Sequence, residues 1–303
     1  VKQANPNTPG ITPEGKPSSG KPNELLIPED ATEQKTYAMR IIAQRCLYGV
    51  DKNPLAVEMA KLSLWLLTLA KDKPFEFLDH SIRCGDSLIG LHNLEQLKHF
   101  SLKPNEIDEP MFKGPWLDGV EEAVTLRLKL EEMPANTIEE VELQEKLLKE
   151  ANEKITQLRC VADLLVSSEF WGVNPKDKLN RLNHNATKAI EHLQNKTSKE
   201  LEQFATNERR GQLMFHWPIE FPEVILERNG FDAFVGNPPF MGGTVAKSIL
   251  GDSYKKFIAM VLEQCHGNSD ISVWFFRKAS LLLNRNGIFG LLASDSIAEG
   301  DTR

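Results

Sequence analysis

The spacing of apolar residues predicts a chain in which strands alternate with helices. Short apolar runs at 46–50, 231–235 and 288–293 are bounded by turn-forming or polar residues, which is typical of buried strands. Longer stretches with helical spacing lie at 31–45, 55–70 and 272–284. Because this alternation favours strands that run in the same direction, the pattern predicts an α/β fold with a mostly parallel sheet.

The helix predicted after the first strand has clear boundary signals. Asn53 is a good N-cap residue, and Pro54 suits the first helical position. Its stretch 62–67 is apolar on nearly every side, and a helix of that kind is expected to be buried. We therefore predict a buried helix over 55–70.

The middle of the chain changes to a helical composition rich in Leu, Glu, Lys and Gln. An apolar seam with spacings of three and four predicts one long helix, and a second helical stretch, 186–210, is expected to fold back on it. The seam consists of Leu148, Ala151, Ile155, Leu158, Ala162 and Leu165. The predicted organisation is a Pro/Gly-rich linker at 1–33, a first core part at 34–118, a helical insertion at 119–212 and a second core part at 213–303.

Composition narrows the class of protein. The chain has 303 residues, of which 41% are hydrophobic and 26% are charged, as in folded globular proteins. It has no apolar run long enough for a transmembrane helix and no signal-peptide core, so we expect a cytoplasmic protein. The four cysteines are far apart and show no metal-ligand spacing, so the sequence predicts neither a metal site nor a disulfide. The net charge is -7 and no segment is basic. If the substrate is a nucleic acid, we therefore expect its phosphates to be bound mainly by residues outside this chain.

The most specific motif is Asn237-Pro238-Pro239-Phe240, which directly follows the predicted strand 231–235. Ligand sites in parallel sheets lie at the carboxyl ends of strands. The two prolines restrict the backbone, so Asn237 and Pro238 are expected to be extended and to present an amide oxygen and a carbonyl oxygen beside an aromatic ring. Two fixed acceptors around an exocyclic amino group would favour the pyramidal nitrogen that attacks an electrophile.

These residues resemble the catalytic motif of adenine-specific (N6) DNA methyltransferases of the gamma class. The segment 48–54, Tyr-Gly-Val-Asp-Lys-Asn-Pro, resembles the motif of that family whose acidic residue binds the ribose hydroxyls of S-adenosylmethionine. The segment 84–88, Cys-Gly-Asp-Ser-Leu, resembles the motif whose aspartate accepts from the adenine amino group of the cofactor. The resemblance implies these roles for Asp51 and Asp86, and a partial class I (Rossmann-like) methyltransferase sheet with a long helical insertion.

The resemblance also implies how the substrate is held. In such enzymes the target adenine is flipped out of double-stranded DNA, and an aromatic residue stacks on it. Phe240 takes that role by resemblance, while Pro239 helps to wall the cofactor pocket. The segments 221–224 and 294–303 look most like those of methylase subunits and fused enzymes of type II restriction-modification systems. This resemblance implies that a restriction or specificity subunit is a possible partner.

One motif of the family is missing. A Gly-rich turn after a first strand should precede Asp51, and nothing before Tyr48 spells it. The target-recognition domain is also absent. We therefore expect an internal piece of a larger methyltransferase that by itself binds cofactor weakly or not at all and is poorly stable. Two alternatives stay open: a protein-glutamine methyltransferase, which shares the Asn-Pro-Pro-aromatic motif, and an inactive fragment whose helices serve as a docking module.

Overall fold

The structure is a computed structural model of the whole chain, and its described residues are 10–12, 15–20, 26–69, 77–112, 118–133, 137–241, 248–262 and 269–293. The chain divides into two compact units. The first comprises Val1–Cys84 and Leu126–Glu150, and the second comprises Gly85–Thr125 and Ala151–Arg303. The predicted helical insertion, 119–212, therefore lies partly in the first unit and partly in the second. The division of the chain into four domains remains a prediction.

The first unit contains helix α1 (Ala31–Arg45), strand β1 (Gly49–Asp51), helix α2 (Pro54–Leu67) and strand β2 (Ile82–Cys84). Strands β1 and β2 pair in parallel, with Asp51 opposite Cys84. Helix α2 begins where its boundary signals predict, because the Asn53 side chain accepts a hydrogen bond from the backbone N–H of Leu55.

The core of the first unit lies on one side of α2. Ala43, Val57, Leu78 and Ile82 form a buried cluster, against which Leu64 and Trp65 pack. The opposite side of the helix is exposed, so the prediction of a fully buried helix is wrong. Its exposed apolar side chains and their exposed fractions are Leu55 65%, Met59 59%, Leu62 50%, Leu66 64% and Leu67 65%. The composition of the helix shows that it is apolar. Which of its faces the other described residues cover depends on tertiary packing, and composition does not show it.

Five helices are described between β2 and residue 210: α3 (Leu94–Lys98), α4 (Asp118–Glu132), α5 (Ile138–Trp171), α6 (Pro175–Gln194) and α7 (Ser198–Arg209), with a 3₁₀ turn at Pro104–Glu106 before α4. The six seam residues of α5 are all buried, so the predicted packing seam is confirmed. The predicted helix 186–210 is divided, since α6 ends at Gln194 and Lys196 has a positive φ of 55°.

The second unit continues with α8 (Trp217–Glu220), a π-helical turn (Glu223–Glu227), β3 (Phe231–Gly236), α9 (Asp252–Val261), α10 (Ile271–Leu282) and β4 (Leu283–Leu291). Strands β3 and β4 pair in parallel. Ala233 lies opposite Ile288 and Val235 opposite Gly290, while an irregularity separates this register from the pair Phe231 and Leu283. The predicted strand at 288–293 therefore corresponds to the regularly paired part of β4.

The segments before and after the helical insertion lie side by side in the second unit. The N–H of Asp86 donates to the carbonyl of Leu213 at 2.9 Å, and the N–H of Phe215 donates to the carbonyl of Ile89 at 2.8 Å. Gly90 has a positive φ of 148°, and a Cβ there would collide with the backbone of Phe215. These bonds tie the turn that follows β2 directly to the segment that follows the helical insertion.

The described residues thus form a mixed α/β structure with two small parallel sheets. Within these residues no helix combines the length and the apolar character that crossing a membrane requires.

Candidate functional site

The Asn-Pro-Pro-Phe segment lies at the carboxyl end of β3, as predicted. Asn237 and Pro239 are exposed and Pro238 is buried. The ring of Phe240 is 52% exposed. The segment therefore presents one polar and one aromatic side chain to solvent while a proline between them is anchored in the protein.

Backbone hydrogen bonds hold this segment at both ends. The carbonyl of Gly236 accepts from the N–H of Leu292 at 3.0 Å, which extends the pairing with β4. The carbonyl of Met241 accepts from the N–H of Ile271 at 2.9 Å, the first residue of α10. Since prolines fix much of the intervening backbone, we expect a segment held in a single conformation.

A cluster of aromatic side chains packs around strand β3. Phe231 and Phe234 have ring centroids 5.0 Å apart, and Trp217 lies 5.6 Å from Phe231 and 5.9 Å from Phe234. Phe221 is fully buried and lies 5.9 Å from Trp217. Tilted and edge-to-face ring pairs of this kind stabilise a rigid arrangement. The cluster gives the aromatic residues of segment 215–221, which precedes the strand, a packing role.

Asp51 in the first unit is the last residue of β1 and is exposed. Its Oδ1 accepts a hydrogen bond from the N–H of Asn53 at 2.7 Å, so the carboxylate is held by the turn that starts α2. An exposed carboxylate fixed by its own turn can accept hydrogen bonds from hydroxyl groups of a ligand.

Asp86 in the second unit has a different environment, because its side chain is only 4% exposed. Its Oδ1 accepts from the N–H of Leu88 at 3.2 Å and from the hydroxyl of Tyr254 at 2.9 Å. Its Oδ2 accepts from Nε2 of Gln212 at 3.4 Å. A buried carboxylate needs such donors, because without them the loss of hydration would destabilise the charge.

A buried lysine lies in the same part of the second unit. Nζ of Lys278 donates to the carbonyl of Gly90 at 3.3 Å. Burial lowers the pKa of Lys278 to about 7, although the Asp86 carboxylate opposes this shift. Burial and the charge of Lys278 lower the pKa of His92 to about 3. Burial, together with Asp86, raises the pKa of the Tyr254 hydroxyl, which therefore stays protonated.

Within the second unit, the turn at Asp86 and the strand leading to Asn237 share a common support. Nε1 of Trp217 donates to the carbonyl of Ser87 at 3.0 Å, while the indole ring packs against the aromatic residues of β3. Asp51 belongs to the first unit and is described by itself. Sequence reasoning missed Tyr254, Gln212 and Trp217, since no motif signals them and Tyr254 is 168 residues from its partner Asp86.

In the part of the chain that the structure describes, no three His, Cys, Asp or Glu side chains are grouped closely enough to hold a metal ion.

Comparison with known proteins gives the family. A Methanocaldococcus jannaschii protein, provisionally named as a type II restriction enzyme and methyltransferase, is 27% identical over 281 residues, which covers 84% of this chain. The chain spans only 22% of the length of that relative. No solved structure matches the chain. The family model of the Eco57I restriction-modification methylases matches residues 45–302, a range that includes all six predicted site residues. The chain therefore belongs to the Eco57I restriction-modification methylase family.

Proposed function

We propose that this protein is a DNA methyltransferase that transfers a methyl group from S-adenosylmethionine to N6 of adenine within a restriction-modification system. The observation that carries the proposal is the Asn237-Pro238-Pro239-Phe240 segment at the end of a parallel strand, in which all residues but Pro238 are exposed and which is hydrogen-bonded on both flanks. Membership of the methylase family supports the reaction class. The identity of the methylated atom is inferred from the chemistry of the segment.

The acceptors suit an amino group. The side-chain oxygen of Asn237 and the carbonyl oxygen of Pro238 can each accept one hydrogen of an exocyclic NH₂ group. The lone pair of such a nitrogen is delocalised into the base, and two rigid acceptors favour the pyramidal form in which the lone pair is available. These residues would therefore act by stabilising the reacting form of the amine.

The aromatic side chain suits the base that carries the amino group. Enzymes that act on a base within duplex DNA extrude it from the stack and hold it against aromatic side chains. The half-exposed ring of Phe240 is available for this contact. We assign Phe240 to stacking on the flipped adenine, three residues from the amide that would bind its amino group.

The residues proposed to hold the cofactor fit the hydrogen-bonding groups of S-adenosylmethionine. Asp51 is exposed and can accept from ribose hydroxyls, Asp86 can accept from the adenine amino group, and Pro239 provides an apolar surface. When bound, the cofactor supplies an electrophilic methyl group on a sulfonium. The parallel pairing of β1 with β2 and of β3 with β4 supports a class I methyltransferase sheet as the underlying fold.

The test is the identity of the methylated product. The full chain is incubated with S-adenosylmethionine carrying a labelled methyl group and genomic DNA of mixed sequence, and the nucleosides are separated by mass spectrometry. We expect N6-methyladenine. Asn237→Ala should lower the transfer rate at least about 100-fold, while cofactor binding measured by equilibrium dialysis stays nearly unchanged.

The matched control is Asn183→Ala, which removes an exposed asparagine from α6 and should leave transfer unchanged. Label in cytosine would contradict adenine specificity. Label in glutamine side chains of added protein would instead support a protein methyltransferase. A loss of cofactor affinity in Asn237→Ala would mean that Asn237 binds the cofactor and not the amine.

A further inference from the structure

The two oxygens of Asp86 are held unequally. Oδ1 accepts two hydrogen bonds, one from the neighbouring backbone at Leu88 and one from the Tyr254 hydroxyl, at 3.2 and 2.9 Å. Oδ2 accepts from Gln212 at the longer distance of 3.4 Å. The carboxylate is therefore anchored through Oδ1, and its rotation is restricted by a donor from a distant part of the sequence.

Tyr254 is well placed to act as that anchor. It is 4% exposed and lies in the first turn of α9. Its ring stacks on Trp274 at 6.3 Å and meets the edge of Phe170 at 6.2 Å, so the surrounding aromatic side chains fix its direction. Because the pKa of Tyr254 is raised, its hydroxyl keeps its proton and donates to Asp86 throughout the neutral range.

The local turn would not orient the carboxylate by itself. The bond from Leu88 joins residues two apart in sequence and constrains only one oxygen of a short side chain. The bond from Tyr254 adds a second direction at the same oxygen, and two directions determine the plane of the carboxylate. Without the hydroxyl, the described donors that remain at Asp86 include the backbone N–H of Leu88 and the more distant Nε2 of Gln212, so the carboxylate is held less firmly.

We propose that Tyr254 is a positioning residue that orients Asp86 so that Oδ2 is directed to the amino group of the cofactor's adenine. The inference rests on the proposed function, because it assigns a partner to a residue proposed there to bind S-adenosylmethionine. It also makes Tyr254 a determinant of ligand choice. A fixed carboxylate oxygen accepts from an amino group and repels a carbonyl oxygen at the same place, so it discriminates against a base with an oxo group there.

The experiment compares two ligands on the full chain. One is S-adenosylmethionine, and the other is its deaminated analogue, in which an oxo group replaces the adenine amino group. Binding is followed by saturation-transfer NMR, which detects weak affinities. The unsubstituted chain should prefer S-adenosylmethionine by about tenfold. Tyr254→Phe should bind S-adenosylmethionine about tenfold more weakly and bind the analogue with unchanged affinity.

Tyr37→Phe is the control, since it also removes the hydroxyl of a buried tyrosine, here one in helix α1 of the first unit and outside the proposed cofactor motifs. It should preserve the preference between the two ligands. Thermal melting of each variant shows whether it is folded.

Each outcome is decisive. Equal weakening of both ligands by Tyr254→Phe would show a purely structural role and overturn the inference. Equal binding of both ligands by the unsubstituted chain would contradict the role of Asp86 itself, and this failure is visible without any substitution. Absence of binding of either ligand would contradict the cofactor assignment, and the inference would fall with it.

Discussion

At the scale of single residues, the second unit contains a buried lysine, Lys278. Lys278 is 2% exposed, and the charged or titratable groups near it are Asp86 and His92. Its hydrogen bond to the carbonyl of Gly90 compensates only part of the lost hydration. The lysine therefore destabilises the folded state when it is protonated.

This predicts a stability that rises with pH. The pKa of Lys278 is about 7 in the folded protein against 10.5 ordinarily, so between these values the unfolded chain binds more protons than the folded chain. The free energy of unfolding should rise across this interval by at most about 1.4 kcal/mol per pH unit from this group. Lys278→Met should remove the rise and stabilise the protein at pH 7, as measured by denaturant unfolding from pH 7 to 10.

The control for this measurement is Lys199→Met, which removes an exposed lysine on α7 and should keep the pH dependence of the unsubstituted protein. An unchanged slope in Lys278→Met would mean that the lysine reaches water and titrates normally.

At the scale of elements, helix α2 has two apolar faces, and the described residues cover one of them. Val57 and Leu64 belong to or pack on the core of the first unit, whereas Leu55, Leu62 and Leu66 are at least half exposed. Exposed residues spaced by seven and by four lie on one side of a helix and form a continuous stripe. Contiguous apolar stripes on a surface promote self-association.

We predict that the double variant Leu62→Glu, Leu66→Lys reduces concentration-dependent light scattering without lowering the melting temperature. The introduced charges are four residues apart in the favourable order, so they should form a pair on the helix surface. Val57→Glu, on the covered face, is the contrasting variant and should unfold the first unit. Undiminished scattering in the double variant would mean that the stripe plays no part in self-association.

At the scale of the whole molecule, the charge balance bears on the proposed binding of DNA. The chain carries 36 basic and 43 acidic residues, for a net charge of -7. Proteins that hold DNA through its phosphates use clustered Lys and Arg, and their affinity falls steeply with salt. An acidic chain that spans 22% of the length of its relative is expected to contribute a small share of such binding.

We predict that the chain alone binds a fluorescent random-sequence duplex more weakly than the 10⁻⁴ to 10⁻⁶ M range of ordinary non-specific binders at physiological salt. Fluorescence anisotropy over a salt series measures both the affinity and its salt dependence. Tight binding with a steep salt dependence would reveal a basic surface that the overall charge conceals.

The sequence by itself determined the features that depend on neighbouring residues. The end of β1 at Asp51, the start of α2 at Pro54 and the position of the Asn-Pro-Pro-Phe segment after β3 all follow from short-range signals such as capping, proline geometry and apolar runs. The apolar seam of α5 was also predictable, because helical spacing alone places those residues on one side. These parts of the site were therefore predictable without knowledge of the packing.

Only the tertiary structure decided which distant groups meet. It brings Tyr254 and Gln212 to Asp86, places the turn after β2 beside the segment that follows the helical insertion, and leaves one face of α2 exposed. None of these follows from local sequence, because a hydrogen-bond partner 168 residues away depends on how the whole chain packs and not on any motif around either residue. Local preferences determine where an element begins and ends, whereas burial and long-range hydrogen bonds depend on what the rest of the chain places against it.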